Sequence, residues 1–371
     1  AATLGAGFNC WVWNTSGTAT HVVTIDPNAA ETIDGKLSLI LRRGEGVEIV
    51  CDGTNWQTVS KKAMRGYAEN MLDTVTKPVA SGDSAIAIGS NNTQSTGTAS
   101  NAFGYNAKAS ANYSTAIGNN SGTSGSVAAT GAGAMALGGS YASGTDSFAA
   151  AITNNTSSYG ATGNNSVAIG PNCVATNTNS VAIGSYCTSS SIGSYSLGNT
   201  NAATGSNSFA FGYRSVSSIS GKYAYASSGS SAFGGVGEAQ LGTIVLHKDT
   251  TDATPTVVTS NNGTAAATNQ VILPNNSTYA FKGQVVGQQK AGDAAAYAAY
   301  DISGVITRVA NAAATTLLAS TVTTVFETTA GWDCTLSADT TNGGLAVTVT
   351  GEAAHNIRWC AVIDTVELTY A

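Results

Sequence analysis

The sequence is short of charge. Only 10% of its 371 residues are Asp, Glu, Lys or Arg, proline appears five times and aromatic residues make up 7%. With so few long, helix-favouring side chains, an ordinary helical or α/β enzyme is a poor expectation. Lys and Arg never cluster, and a net charge of −6 offers nothing to a phosphate backbone, so no nucleic-acid partner is expected. No run approaches the roughly 18 consecutive apolar residues of a spanning helix, which argues against membrane insertion. The six cysteines, at 10, 51, 173, 187, 334 and 360, are too scattered for a disulfide scaffold or a Cys-x-x-Cys metal site and read as free thiols. His21, His247 and His355 lie far apart with no ligand motif, so no metal and no cofactor are expected. The chain starts at Ala1 with neither an initiator Met nor a charged-then-apolar leader, and reads as a fragment or a processed form.

What is abundant is small. Glycine occurs 43 times, and Ser, Thr, Asn and Ala fill most of the remainder. Mean hydropathy is +0.05, and Ile, Leu and Phe recur at regular intervals, which argues for burial over disorder. An all-β chain with many turns is expected.

The middle of the chain is a ladder. SAIAIG ends at Gly89, STAIG at Gly118, and SVAIG at both Gly170 and Gly184; looser copies end at Gly104, Gly138, Gly198, Gly212 and Gly234, with Ser147 to Ala151 degenerate. The glycines at 170, 184, 198 and 212 are 14 apart three times running. Before each glycine stands a large apolar residue: Ile88, Phe103, Ile117, Leu137, Ile169, Ile183, Leu197, Phe211 or Phe233. One step earlier the residue is always small, as at Ala87, Ala116, Ala182 and Ser196. Alternation of large and small marks short strands with two differently used faces, and each glycine lets the chain turn. A 14-residue coil holds two such strands and two tight turns. Stacked in register, the coils form a β-solenoid whose core is the row of large residues, while the small row marks a surface where another sheet or chain comes close.

Asn165 to Gly170 and Asn179 to Gly184 both read Asn-Ser-Val-Ala-Ile-Gly. The ladder from about 81 to 234 thereby resembles the head repeats of YadA-like trimeric adhesins. The resemblance implies a left-handed parallel β-roll assembled as a homotrimer, each thin roll burying one face against its two partners. Three longer intervals, 118 to 138, 151 to 170 and 212 to 234, are expected to bulge as loops over Asn119–Gly133, Thr153–Gly163 and Arg214–Gly229. These are either receptor contacts or, preferably, tolerated insertions. Cys173 and Cys187 each fall three residues past a repeat glycine and should stack on each other as free thiols.

The flanks differ. Residues 1–60 alternate in Cys10–Trp13, His21–Ile25, Leu37–Leu41 and Val47–Cys51, with turns at Asp34-Gly35 and Asp52-Gly53, as a small antiparallel domain does. Its segment EGVEIVCDGTNWQTV, from Glu45 to Val59, resembles stretches of phage tail-fibre proteins close to their attachment regions. Met64, Tyr67, Ala68, Met71, Leu72 and Val75 fall at helical spacing, predicting one short helix within a 61–80 linker, which in a trimer would meet its copies as a brief coiled coil. The ladder domain is taken as 81–237. Residues 238–371 carry longer alternating strands at 278–286, 302–309, 315–327, 345–349 and 357–368, with a hairpin turn at Asn342-Gly343-Gly344, as in a β-sandwich or jelly roll. FKGQVVGQQ at 281–289 and the stretch from Trp332 to Ala353 resemble C-terminal domains of phage tail fibres, which implies a trimeric tip that meets the host.

Chemistry is hard to find. Asp146 is the only carboxylate between Ser84 and Gly234, and Asp293, Asp301, Asp333, Asp339 and Glu352 show no spacing that marks a glycosidase pair. No catalytic residue is nominated, and the chain is expected not to be an enzyme. Trp332 and Trp359 are expected in a core. The favoured reading is a homotrimeric phage tail-fibre adhesin on the virion, extracellular, contacting other tail or baseplate proteins and a host cell-surface glycan or protein. The alternatives are a bacterial trimeric autotransporter adhesin head and a polysaccharide depolymerase tailspike. The autotransporter class needs a secretion leader and a C-terminal anchor of four amphipathic strands, and this C terminus reads as a sandwich.

Overall fold

The computed structural model describes residues 4–15, 21–42, 45–62, 66–70, 78–90, 92–119, 127–151, 159–227, 235–290 and 296–370. The chain is all-β: among the described residues the one helical element is a 3₁₀ turn at Ala312–Ala314. Two compact units divide it, residues 1–121 with 126–133, and residues 122–125 with 134–371.

The first unit opens with a three-stranded antiparallel sheet in which Gly46–Cys51 lies between Asn9–Trp13 and Trp56–Lys62. A ribbon of Val23–Ile25 and Leu39–Leu41 adds to it, and Ile33, Leu41, Val47, Ile49, Cys51 and Trp56 form the core. Asp34 and Gly35 both take positive φ, 51° and 74°, the backbone of a tight hairpin turn. The alternation read from 1–60 is therefore the actual strand pattern.

The helix expected near 61–75 does not form in the residues described there. Trp56–Lys62 continues as strand, and Gly66–Asn70 is a second strand paired in parallel with Ala85–Ser90; 63–65 and 71–77 lie outside the described residues. Helical periodicity lost to register: Ala68 pairs with Ala87 and Asn70 with Gly89, so this segment is the first strand of the ladder. In this unit Gly66–Asn70, Ala85–Ser90, Asn101–Tyr105 and Thr115–Ile117 stack in parallel, and Val79–Ala80, Gln94–Ser95, Ala107–Ala109 and Val127–Ala129 stack as the opposing sheet.

In the second unit a solenoid of the same construction runs from Met135–Gly138 to Tyr223–Ala226. The coil that starts at Val181 shows how it is built. Val181–Ser185 is the first strand, Tyr186 turns a corner at φ 54°, Thr188–Ser189 is the second strand, and Gly193 turns back at φ 61°. Ala182, Cys187, Ser189 and Ser194 point inward and are fully buried. Two strands this close favour Ala, Ser and Cys between them, with Thr93 and Asn201 the larger residues buried at the corner position. The recurrent serine closes the second corner: the Ser180 hydroxyl donates to the Asn177 carbonyl at 2.7 Å, and Ser100, Ser114, Ser147, Ser166 and Ser194 repeat the bond at 2.6–2.7 Å.

Two expectations are corrected here. The interior of the roll is the small row, as at Ala87, Ala102, Ala116, Ala136, Ala149, Ala182 and Ala210, all at 0% exposure. The large row expected as the core points outward instead. Ile117, Ile183 and Phe211 are 36–42% exposed, and Ile88, Phe103, Leu137, Ile169 and Leu197 are half-buried. Successive residues of a strand face opposite ways, and only the small ones fit between the sheets. The second correction concerns the loop placed over Arg214–Gly229. Through residue 227 it is a further coil, with Val216–Ser217 and Tyr223–Ala226 in strand register and Gly212 opposite Ala226. Tyr-Ala-Tyr-Ala keeps the large and small rows while dropping the glycine that made the motif visible. In the two other long intervals, residues 127–129 and 160–161 are coil strands, and the remaining extra residues, 120–126 and 152–158, lie outside the described residues.

The last coil strand, Tyr223–Ala226, pairs antiparallel with Ala239–Thr250, and from there a five-stranded antiparallel sheet follows. Its order is Ala239–Thr250, Ile357–Thr369, Ser277–Gln289, Tyr297–Arg308, Thr315–Glu327. A smaller sheet of Thr256–Val257, Val271–Ile272, Asp333–Asp339 and Gly344–Thr350 covers one face of it. Between the sheets lie Leu246, Phe281, Val285, Tyr300, Ile306, Val347, Trp359 and Ile363. Strand Ala239–Thr250 starts where the repeats fade, and its alternation was missed in the sequence.

Candidate functional site

The sequence-derived residues sit in three roles. The repeat glycines 89, 104, 118, 138, 170, 184, 198 and 212 all have positive φ, between 69° and 151°. A Cβ on Gly184 would drive into the carbonyl oxygen of Gly198, and one on Gly198 into that of Gly212. They are positions of close coil-to-coil approach as well as turns. Phe233 and Gly234 lie outside the described residues.

The outward residues form a surface. On one sheet of the roll in the second unit, Met135, Phe148, Val167, Val181, Tyr195, Phe209 and Tyr223 make one row, and Leu137, Ala150, Ile169, Ile183, Leu197, Phe211 and Tyr225 a parallel one, large throughout but for Ala150. Neither row holds a charged residue. The rings of Tyr195, Phe209 and Tyr223 stack from coil to coil with centroids 5.6–5.7 Å apart. On the opposite sheet the outward row reads Tyr141, Gly160, Val174, Thr188, Ala202, Val216, smaller and more polar. Rows of large apolar side chains at this exposure are unusual on a solvent face.

Where the solenoid ends, the serine row receives a cation. Lys222 stands 14 residues after Ser208 and is buried, with its ammonium 2.6–2.7 Å from the Glu367 carboxylate. Gln240 donates to the same carboxylate at 2.7 Å and Thr365 at 2.6 Å, so both oxygens are held. This network ties the last coil of the solenoid to the first and second strands of the long sheet.

On the uncovered face of the five-stranded sheet, a depression of about 480 Å³ is lined by Lys282, Gln284, Asp301, Ser303, Thr321, Thr323, Val362 and Asp364. Gln284 donates to Asp301 at 2.9 Å, and Thr243 to Asp364 at 2.7 Å. Asp364, Lys282 and Gln284 carried no signal in the sequence, because antiparallel pairing gathers them from strands dozens of residues apart. Asp333, Asp339 and Glu352 do not join them: Asp339 instead fixes the Asn342-Gly343 turn, accepting from Thr341, Asn342 and Gln270 at 2.7–3.0 Å, while Asp293 lies outside the described residues. Trp332 and Trp359 are both buried, 5.3 Å apart, as expected.

Cys173 and Cys187 are buried in adjacent coils with their thiols free, in line with the sequence. The neighbouring Cys187 sulfur and burial together push the Cys173 thiol far above its ordinary range.

Residues 79–93, 95–121, 161–186 and 189–215 match the model of the YadA head domain repeat. The matched residues all lie in the solenoid. No curated protein matches the chain. Among solved structures it is similar to tailspike protein gp49 of Acinetobacter baumannii bacteriophage Fri1, a capsular polysaccharide depolymerase, at 10% identity and a TM-score of 0.25. That match covers 76% of this chain and 59% of the tailspike chain, so this chain spans less than two thirds of its length. The finding corrects the expectation of a chain without enzymatic activity, since the similar protein is an enzyme. The carboxylate census read spacing along the sequence, whereas strand pairing brings Asp301 and Asp364 into one depression. At a TM-score of 0.25 the likeness carries no argument about this chain's own chemistry. Among the described residues no helix is long and apolar enough to cross a membrane.

Proposed function

We propose that the chain is a subunit of a homotrimeric, phage-type receptor-binding fibre that attaches a virion to a host cell-surface glycan or protein. The observation that carries this reading is the uncharged double row of large apolar side chains on one sheet of the roll. A thin solenoid filled with Ala and Ser buries too little apolar surface to stand alone, and the double row supplies the missing burial when it faces copies of itself. Each fully covered Val, Leu, Ile or Phe adds roughly 1.5–3 kcal/mol. The YadA-type repeats support the same assembly. In this reading residues 1–60 face the other tail or baseplate proteins and 238–371 face the host. Three copies on one fibre turn individually weak contacts into firm attachment.

Native mass spectrometry of the full chain is expected to give a trimer, and the purified protein should compete with particles for host cells. A monomer that does not compete would overturn the reading.

A further inference from the structure

We propose that the uncovered face of the five-stranded sheet is also packed against a second copy of the chain, so that the sandwich belongs to the same interface as the roll. The proposal rests on the homotrimer reading above and names the surface that reading leaves open.

Continuity is the first argument. Tyr223 and Tyr225, the last members of the two outward rows, pair directly with Thr243 and Leu241 of the long sheet. Residues directly opposite in a ladder point to the same side. The outward face of the roll therefore runs without a break into the uncovered face of the sandwich, and an interface along the first meets the second.

Composition is the second. Leu241, Val245, Val286, Val362, Val366 and Leu368 are all exposed on that face, Val366 at 69%. Single exposed valines are ordinary; a set spread over three paired strands is not. Charge is the third. Across the middle runs one register row of Thr243, Asp364, Lys282, Ser303 and Thr321, with Asp301 beside it. Both signs occur within this band, so a neighbouring copy can set its Lys282 against Asp301 or Asp364, and the face complements itself. A basic or acidic partner would find no such match. Receptor contact then falls to the smaller sheet and the loops at its rim.

Cys360 makes the test direct, because it lies on this face between His247 and Val286 and is exposed, while Cys51, Cys173, Cys187 and Cys334 are buried. The intact protein is treated with N-ethylmaleimide, unfolded and mapped by peptide mass, alongside its native mass. A trimeric mass with Cys360 labelled at least about tenfold more slowly than in the unfolded chain is expected. A trimer whose Cys360 reacts as fast as in the unfolded chain overturns this interface and leaves the homotrimer standing. A monomer overturns both. As a second measurement, Val366→Asp is expected to raise the concentration at which the trimer dissociates at least about tenfold; an unchanged dissociation midpoint overturns the proposal.

Discussion

Each residue of the Asn-Ser-Val-Ala-Ile-Gly motif has a separate physical task. Asn165, Asn179 and Asn207 take φ of 52–58°, a left-handed corner that Asn tolerates better than most residues. The serine after it ties that corner, the valine and the isoleucine supply the two outward rows, the alanine fills the narrow interior, and the glycine lets one coil lie against the next. Gly184→Ala therefore meets both a φ of 129° and a blocking carbonyl, and is expected to cost about 2–4 kcal/mol in thermal or chemical melts. Ser180→Ala removes the bond donated to the Asn177 carbonyl and the one accepted from the Asn177 N–H but leaves an interior of nearly the same size, so a loss of about 1–2 kcal/mol is expected from the same melts. The spacing was legible because glycine and serine have few substitutes here. The inward and outward assignment was not: alternation shows that two faces differ, and the width of the coil, which decides which face is inside, is a tertiary quantity.

At the scale of elements, the junction between solenoid and sandwich depends on one buried charge pair. Glu367→Gln leaves the Lys222 ammonium buried without its counter-charge and is expected to destabilise the chain by about 3–5 kcal/mol in chemical denaturation. Replacing both Lys222 and Glu367 with Met should cost less than the two single changes summed, because the pair's desolvation is removed with it. Neither residue was legible as a partner, since 145 residues separate them. Four of the five long sandwich strands were legible from alternation alone, Ala239–Thr250 being the exception, and so was the Asn342-Gly343 turn. The helix expected at 61–75 and the loop expected at 214–229 give way to strands at Gly66–Asn70 and Tyr223–Ala226 for one cause: degenerate repeats keep the strand register while losing the letters that announce it, and local periodicity then has the field to itself.

For the whole molecule, the outward rows decide the assembly in the proposed trimer. Ile183→Asp would place a carboxylate against each partner, and is expected to dissociate the trimer, read by native mass, while the single-chain interior around Ala182 stays intact. The repetition that builds those rows also creates a hazard. Coils of equal length and nearly equal rows let the stack slip by one whole coil during folding at little cost, since alanine would still lie on alanine and serine on serine. Lys222 breaks that degeneracy. It is the one charged member of the row that reads Ser166, Ser180, Ser194, Ser208, Lys222, and only the native offset sets it against Glu367. Any slipped alignment seals an unpaired ammonium into the roll or leaves the Glu367 carboxylate stranded, so the fourteen-residue clock is set to its hour by a single lysine.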